Sequence, residues 1–434
     1  MSDHAARTPA FGTPTSSRRV VITGIGAITP IGSGREGLWE GVRRGQSASK
    51  RITRFDPGEF RSQVAAEIED FDPADYVDAK KARRLDRFSQ LAIAASRQAL
   101  ADASLSVADG IGACAAVYLG SALGGIAFAE EQHRRYMANG VHAVEPRLAL
   151  SVFGGAGATN VALEFGLRGP TIGNANSCAS GLIAIGEAFR LIRAGGAEVA
   201  LAGGVEAPLA PLTFGAFTRI GVLTTLNDPP EGACRPFDRE RDGFLMGEGV
   251  GVLILEELRH AVRRGARPYA EVLGYGTTND AYHMTAPLPA GREAAHAIAL
   301  ALDDARLAPG EVDYVNAHAT GTLLGDAAEA RAIRLAFGEH AGYLRVSATK
   351  ALHGHALGAS PAIETAITAL ALDRGWLPPT ANLDDPDPAC EVVHVDRTGE
   401  ERHIGIAVKN AFGFGGINAS LVLRRWQDDR PCAL

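Results

Sequence analysis

Of the five cysteines in the chain, Cys178 alone stands in a setting that suits reaction. It sits in the small-residue turn Asn176-Ser177-Cys178-Ala179-Ser180-Gly181, directly ahead of an apolar, Ala/Ile-rich helical segment. First-turn N–H groups and the helix dipole lower a thiol pKa at such a place, which predicts a thiolate nucleophile. The alternative for a lone cysteine is a buried, inert side chain, and Cys114, Cys234, Cys390 and Cys432 are read that way. His318, in Asn316-Ala317-His318-Ala319-Thr320-Gly321-Thr322, ends a β-branched run among small residues, leaving an imidazole with room for a ligand. His355 occupies the matching turn of the C-terminal half, five residues after Lys350. An imidazole so placed can act as general acid, base or hydrogen-bond donor. His353, in the same turn, reads as structural. Asp326 and Glu329 open the helix that follows His318 and suit a capping role; Glu329 otherwise pairs with Lys350 or orients His318. The Gly-rich turn at 411–418 lacks the Lys-Ser/Thr of a phosphate loop. It reads as backbone brought close to a reacting centre, with N–H groups for an oxyanion.

The elements that must position these groups occur twice. A β-branched run at 18–33 predicts a buried strand, and its Gly24-Ile25-Gly26 resembles a dinucleotide loop only loosely. A basic amphipathic stretch at 78–103 has helical spacing at Leu85, Phe88, Leu91, Ala92 and Ala95. Strands follow at 113–120 and 199–207, with the cysteine turn and its helix between them. The second half replays this order with strands at 266–276 and 311–317, the His355 turn, a long apolar helix, and two strands around the Gly-rich turn. The pattern predicts an α/β protein of two similar halves, 18–265 and 266–434, behind a loose tail at 1–17. Low-charge helices such as 181–193 belong between sheets.

Composition narrows the classes. Lys+Arg total 43 and Asp+Glu 50, a net charge of −7, which disfavours nucleic acid as a partner. Hydrophobic content is 46% but aromatic content only 6%, so the core is built from Ala, Val, Ile and Leu in tight layers. Cysteines are odd in number and show no CxxC spacing, which argues against a disulfide framework or a zinc site; no metal is expected. The first residues hold no apolar signal region and no stretch suffices to span a membrane, so a reducing cytoplasm is expected.

In order along the chain, NSCASG, NAHATGT with the following LLGD-AAE, KALHGHALGAS and NAFGFGGIN resemble the β-ketoacyl-[acyl carrier protein] synthases. RPFDRERDGFLMGEGVG (235–251) and DAYHMTAP (280–287) resemble the family's bacterial type II elongating members. The resemblance covers about residues 18–425. It implies a thiolase-like fold, a five-layer α-β-α-β-α body working as a homodimer or as a heterodimer with a related chain-length subunit. It implies that Cys178 accepts the acyl group, His318 and His355 complete the triad, and Lys350 and Glu329 support it. Phe414, with Phe412 beside it, matches the gate, and the N–H groups of Cys178 and Phe414 match the oxyanion donors. Thr320, Thr322 and Thr285 fall at the phosphopantetheine arm; Leu123, Phe217 and Ser177 fall along the acyl tunnel. Acyl carrier proteins are acidic, so docking is expected on Lys80, Lys81, Arg83, Arg84 and Arg87. The implied reaction is decarboxylative condensation of malonyl-carrier protein with the Cys-bound acyl chain, and it requires no cofactor beyond the carrier's arm. Departures from the family pattern are Ala319 for Gly, Ala351-Leu352-His353 for Ser-Met-Thr, and Ser360-Pro361 for Ala-Gly. These favour a polyketide or polyene pathway as much as a fatty-acid one. An inactive chain-length subunit is opposed by Cys178, a thiolase by the absence of cysteine at 411–418, and a chalcone synthase by His355.

Overall fold

The computed structural model describes residues 18–107 and 110–427; the tail expected at 1–17 lies outside them, as does Cys432. The first half contributes strands β1 Val20–Thr29, β2 Ala116–Gly120, β3 Thr171–Asn174, β4 Val199–Glu206 and β5 Gly249–Glu257. The second contributes β6 Ala270–Asn279, β7 Tyr314–Asn316, β8 Arg345–Ser347, β9 Val393–His394, β10 Ile406–Gly413 and β11 Ile417–Arg425.

The two halves share one pairing scheme. In the first the order is β3-β2-β4-β5-β1, with β2 parallel to β3 and β4, and β5 antiparallel to both neighbours. In the second the order is β8-β7-β10-β11-β6, with β7 parallel to β8 and β10, and β11 antiparallel to both neighbours. Strand β9 extends the second half beyond β8. Corresponding strands β1 and β6 pair antiparallel, Val20–Ile22 against Ala270–Val272, and merge both halves into one mixed sheet.

Six helices complete five layers: α1 Arg87–Asp102, α2 Ala156–Phe165, α3 Ser180–Arg193, α4 Arg292–Ala305, α5 Leu323–Phe337 and α6 Ser360–Arg374. Helices α1 and α2 cover the outer face of the first half, while α4, backed by α5, covers that of the second; α3 and α6 lie between them. The two-residue period of β4 sorts its side chains by size. On β4, Val199 and Leu201 face the core around α1, whereas Ala200 and Ala202 face the central helices. Small inner residues let α3 and α6 approach, and every residue from Ser360 to Leu372 is buried.

One sequence expectation changes. The basic stretch is not one helix: a short turn at Ala79–Ala82 precedes Asp86, whose extended backbone (φ −81°, ψ 167°) starts α1 afresh. Gly24 and Gly26 serve packing, not a nucleotide, because a Cβ there would lie 2.3 Å from the Ala99 carbonyl and 1.9 Å from that of Ala95. Helix α1 thus rests directly on β1. No helix among the described residues is long and apolar enough to cross a membrane.

Ile367, fully buried in the central layer, tests that packing. Ile367→Ala is expected to lower unfolding free energy by about 2–5 kcal/mol through lost burial and a residual cavity. Urea denaturation followed by tryptophan fluorescence measures it.

Candidate active site

The cysteine turn and the His355 turn have the same backbone shape. Each follows a corresponding strand, β3 or β8, and each starts a central helix. Ser177 and Leu357 both take positive φ, 51° and 39°, and Ser180 and Ser360 share φ −51°, ψ −47°. In both turns an i to i+3 bond closes the loop, Ala179 N–H to the Asn176 carbonyl and Ala359 N–H to that of Ala356. Gly358 therefore occupies the position equivalent to Cys178. The turns stand back to back, and a Cβ on Gly358 would lie 2.7 Å from the Ala122 nitrogen.

This contact brings Cys178 Sγ to 3.1 Å from His355 Nε2. The residue-235–251 segment pins the histidine backbone: His355 N–H donates to the Leu245 carbonyl at 2.7 Å, and Gly247 N–H donates to the His355 carbonyl at 3.0 Å. Phe244 packs edge-on against the His355 ring at 5.2 Å. The His318 ring lies 5.5 Å from His355, and Phe412 lies 6.1 Å from His318. The Phe414 backbone N–H is directed at the Cys178 sulfur.

Burial reverses the charge state expected at Cys178. Removal from water pushes its thiol up to about 11, outweighing the Ser177 hydroxyl, the Lys350 charge and the Phe414 N–H. Burial, then the Lys350 charge, holds both His318 and His355 well below the usual imidazole range. The resting pair is a neutral thiol beside a neutral imidazole, a correction to the thiolate expected from the helix terminus.

The supporting charges also differ from expectation. Glu329 makes no ion pair with Lys350. Its carboxylate accepts the His318 and Ala319 backbone N–H groups at 2.8 and 2.7 Å and an Asn410 side-chain N–H at 3.3 Å. It therefore orients the His318 backbone, the other role considered for it. Lys350 pairs instead with Glu364, at 2.7 and 2.9 Å, and donates to the His318 carbonyl. Lys409 reaches the same carboxylate at 2.9 Å. All three charged groups are fully buried. Burial alone would raise the Glu364 carboxyl, but Lys350 and Lys409 outweigh it and hold it low.

A cavity of about 780 Å³, mouth included, meets Cys178, His318 and His355 and is also lined by Phe217, Phe412, Phe414, Thr285, Thr320 and Thr322. Phe217 stacks on Phe414 at 6.4 Å. Leu123 joins the apolar cluster around Cys178, Phe214 and Phe217, and the Ser177 hydroxyl lies 3.9 Å from the sulfur. Glu206, at the end of β4, ties this region together. Its buried carboxylate accepts from the Ala122, Leu123 and Gly358 N–H groups and from the Ser121 hydroxyl at 2.7–3.1 Å. Burial, opposed by these donors, pushes it up to about 7.

The basic segment is only partly free. Arg87 pairs with buried Glu248 at 2.7 Å and Lys81 pairs with Glu164. Arg87 thus anchors α1 through Glu248, while Lys80, Arg83 and Arg84 are exposed. Glu206, Glu364, Lys409, Asn410 and Phe244 were absent from the sequence candidates. The available signal was a lone Glu in the apolar helix PAIETAITALAL and a lone Lys in the strand IAVKNAF.

Residues 17–261 match the β-ketoacyl synthase N-terminal domain and residues 269–384 the C-terminal domain. Among curated relatives, the 3-oxoacyl-[acyl-carrier-protein] synthase 2 of Synechocystis sp. is 42% identical, covering 94% of this chain and 99% of the relative. That of Staphylococcus aureus is 41% identical over 95% of this chain and 100% of the relative. The solved ishigamide ketosynthase/chain length factor is similar with TM-score 0.89 and 37% identity, covering 95% of this chain and 100% of that one. A ketosynthase in complex with its type II polyketide acyl-carrier protein gives 0.87 and 33%, with the same coverage. The chain belongs to the β-ketoacyl synthase family. The members named here are condensing enzymes of the acyltransferase class.

The neutral pair has a measurable signature. Alkylation of Cys178 by iodoacetamide is expected to keep rising with pH past the ordinary cysteine range, because the thiol retains its proton up to about 11. A plateau reached by pH 8, read by intact mass, contradicts the neutral-thiol assignment.

Proposed function

We propose that Cys178 is the acyl-accepting nucleophile of a 3-oxoacyl-[acyl-carrier-protein] synthase, with His355 and His318 as its catalytic partners. The observation that carries this is the 3.1 Å approach of Cys178 Sγ to His355 Nε2, beside His318 and on the wall of one cavity. The halves 18–265 and 266–434 then contribute one turn each to a shared site.

As an acyl thioester enters, the Cys178 proton passes to His355 Nε2 while the S–C bond forms. The N–H groups of Cys178 and Phe414 hold the tetrahedral oxyanion. The departing phosphopantetheine sulfur takes the proton. Malonyl-carrier protein binds next, its arm bonded by Thr320, Thr322 and Thr285. Neutral His318 and His355 donate ring N–H bonds to the enolate oxygen as the C–C bond breaks and CO₂ leaves. The enolate carbon attacks the Cys178 thioester, yielding a 3-ketoacyl chain two carbons longer and a thiolate that regains a proton from solvent. Lys350, paired with Glu364, and Glu329 hold His318. Phe414 gates the cavity with Phe412, Phe217 lines it, and Leu123 and Ser177 stand behind that lining, beside Cys178, toward the acyl end. Thioester exchange and CO₂ loss balance without a metal or redox group.

The acidic carrier protein docks on Lys80, Arg83 and Arg84, and the enzyme works in a reducing cytoplasm. Strand β3 forms the sheet edge with Ile172 46% exposed, near exposed Phe153 and Leu163, which supports pairing with a second ketosynthase-like chain. A second reading, the catalytic subunit of a heterodimeric type II polyketide synthase, is favoured by the similarity to the ketosynthase/chain length factor. Co-purification of an unlike subunit marks that reading.

Cys178→Ala is expected to abolish acyl transfer, measured by intact mass and condensation assay, and retained condensation would remove the central assignment. Cys178→Gln is expected to keep malonyl decarboxylation, since both histidines remain. Reversing Arg83 and Arg84 to Glu is expected to weaken carrier binding at low salt and to lose effect at high salt. Affinity indifferent to both moves the docking site elsewhere.

A further inference from the structure

The Ser360 hydroxyl is fully buried and stands 3.1 Å from His355 Nδ1, while the opposite ring nitrogen faces Cys178. Its counterpart Ser180 has the same backbone angles, yet its hydroxyl donates back to the Ser177 carbonyl at 2.6 Å. One serine closes its own turn; the other turns to an imidazole. Neighbouring His318 and His353 each leave Nδ1 buried without a partner. Of these three rings, His355 alone has both nitrogens engaged.

We infer that Ser360 is a positioning residue that serves both tautomers of His355, accepting from Nδ1–H before the thiol reacts and donating to Nδ1 in the acyl-enzyme. This rests on the reaction proposed above. The first half-reaction needs Nε2 bare, to take the thiol proton, so the ring proton sits on Nδ1 and requires an acceptor. The second needs Nε2–H aimed at the enolate, so Nδ1 is bare and requires a donor. A carboxylate partner would suit only the first and a backbone N–H only the second; a hydroxyl suits both. Ser360 neither gains nor loses a proton. In acyl transfer the Sγ–H bond breaks, its proton moves to Nε2, and the departing sulfur carries it away, leaving a neutral ring. The ring proton then exchanges from Nδ1 to Nε2 through solvent in the cavity, and the hydroxyl rotates to donate. Pro361, which has no N–H, is tolerated in the first turn of α6 and adds no competing backbone donor.

The test uses full-length protein carrying ¹⁵N-histidine, with His355 signals assigned against a His355→Asn variant. Wild type is expected to show the Nδ1–H tautomer at rest and Nε2–H after acylation. Ser360→Ala is expected to give a tautomer mixture and Cys178 acylation slower by about tenfold, with KM unchanged, consistent with loss of one buried hydrogen bond. Ser360→Thr keeps the hydroxyl and is expected to recover tautomer and rate. Ring signals in Ser360→Ala that match wild type overturn the inference, whether or not the rate falls. A rate loss that Ser360→Thr leaves uncorrected, with ring signals unmoved, assigns Ser360 to packing and overturns it too. Failure of wild-type Cys178 to gain acyl mass instead removes the proposed reaction, and the resting ring signals still decide whether Ser360 sets the tautomer.

Discussion

A single buried carboxylate, Glu364, holds the C-terminal half of the molecule in register. Two ammonium groups converge on it, Lys350 from the turn ahead of His355 and Lys409 from β10. Through Lys350 the same cluster grips the His318 carbonyl. Three elements distant in sequence are thus fixed by charges that have no access to water. Such a cluster is costly to assemble, yet removing one partner strands the others, at about 3–5 kcal/mol. Its second effect reaches further. The Lys350 charge is the largest electrostatic influence, after burial, holding both histidines neutral. One cluster therefore holds His318 in place and, behind burial, keeps both imidazoles neutral.

Depth is the condition for all of this. On β4 the face toward the central helices carries alanine where the outward face carries valine and leucine, which helps bury those helices on every side. Close layers bring the two turns together, and the same closeness removes water from the sulfur. A helix terminus on a surface would have produced a thiolate. Here desolvation outweighs the lysine and the nearby donors together, and the thiol keeps its proton.

The doubling of strands, turns and helices was legible in the sequence because hydrophobic period and Gly-rich punctuation are local properties. So were Cys178, His318 and His355, each marked by small neighbours at the end of an element. The partner of Lys350 was not, because Glu329 and Glu364 both lie near it in the fold and no spacing rule ranks them. A lone glutamate inside an otherwise apolar helix was the better clue, since only a buried cation makes that position tolerable. The cysteine's protonation was illegible for a similar reason: the atoms that exclude water come from the other half. Arg87 looked like a surface charge within a basic run, but its buried partner Glu248 lies in a segment more than 150 residues away.

The matched turns carry a final consequence. A twofold repeat offers two equivalent seats, one at Cys178 and one at Gly358. At the second seat the backbone amide is already taken by Glu206, and a side chain there would strike the Ala122 nitrogen. The carboxylate acts as a plug, closing the second seat against the turn that holds the first. A symmetric frame thereby yields an asymmetric site, in which one turn presents the thiol and its twin sets the imidazole beside it.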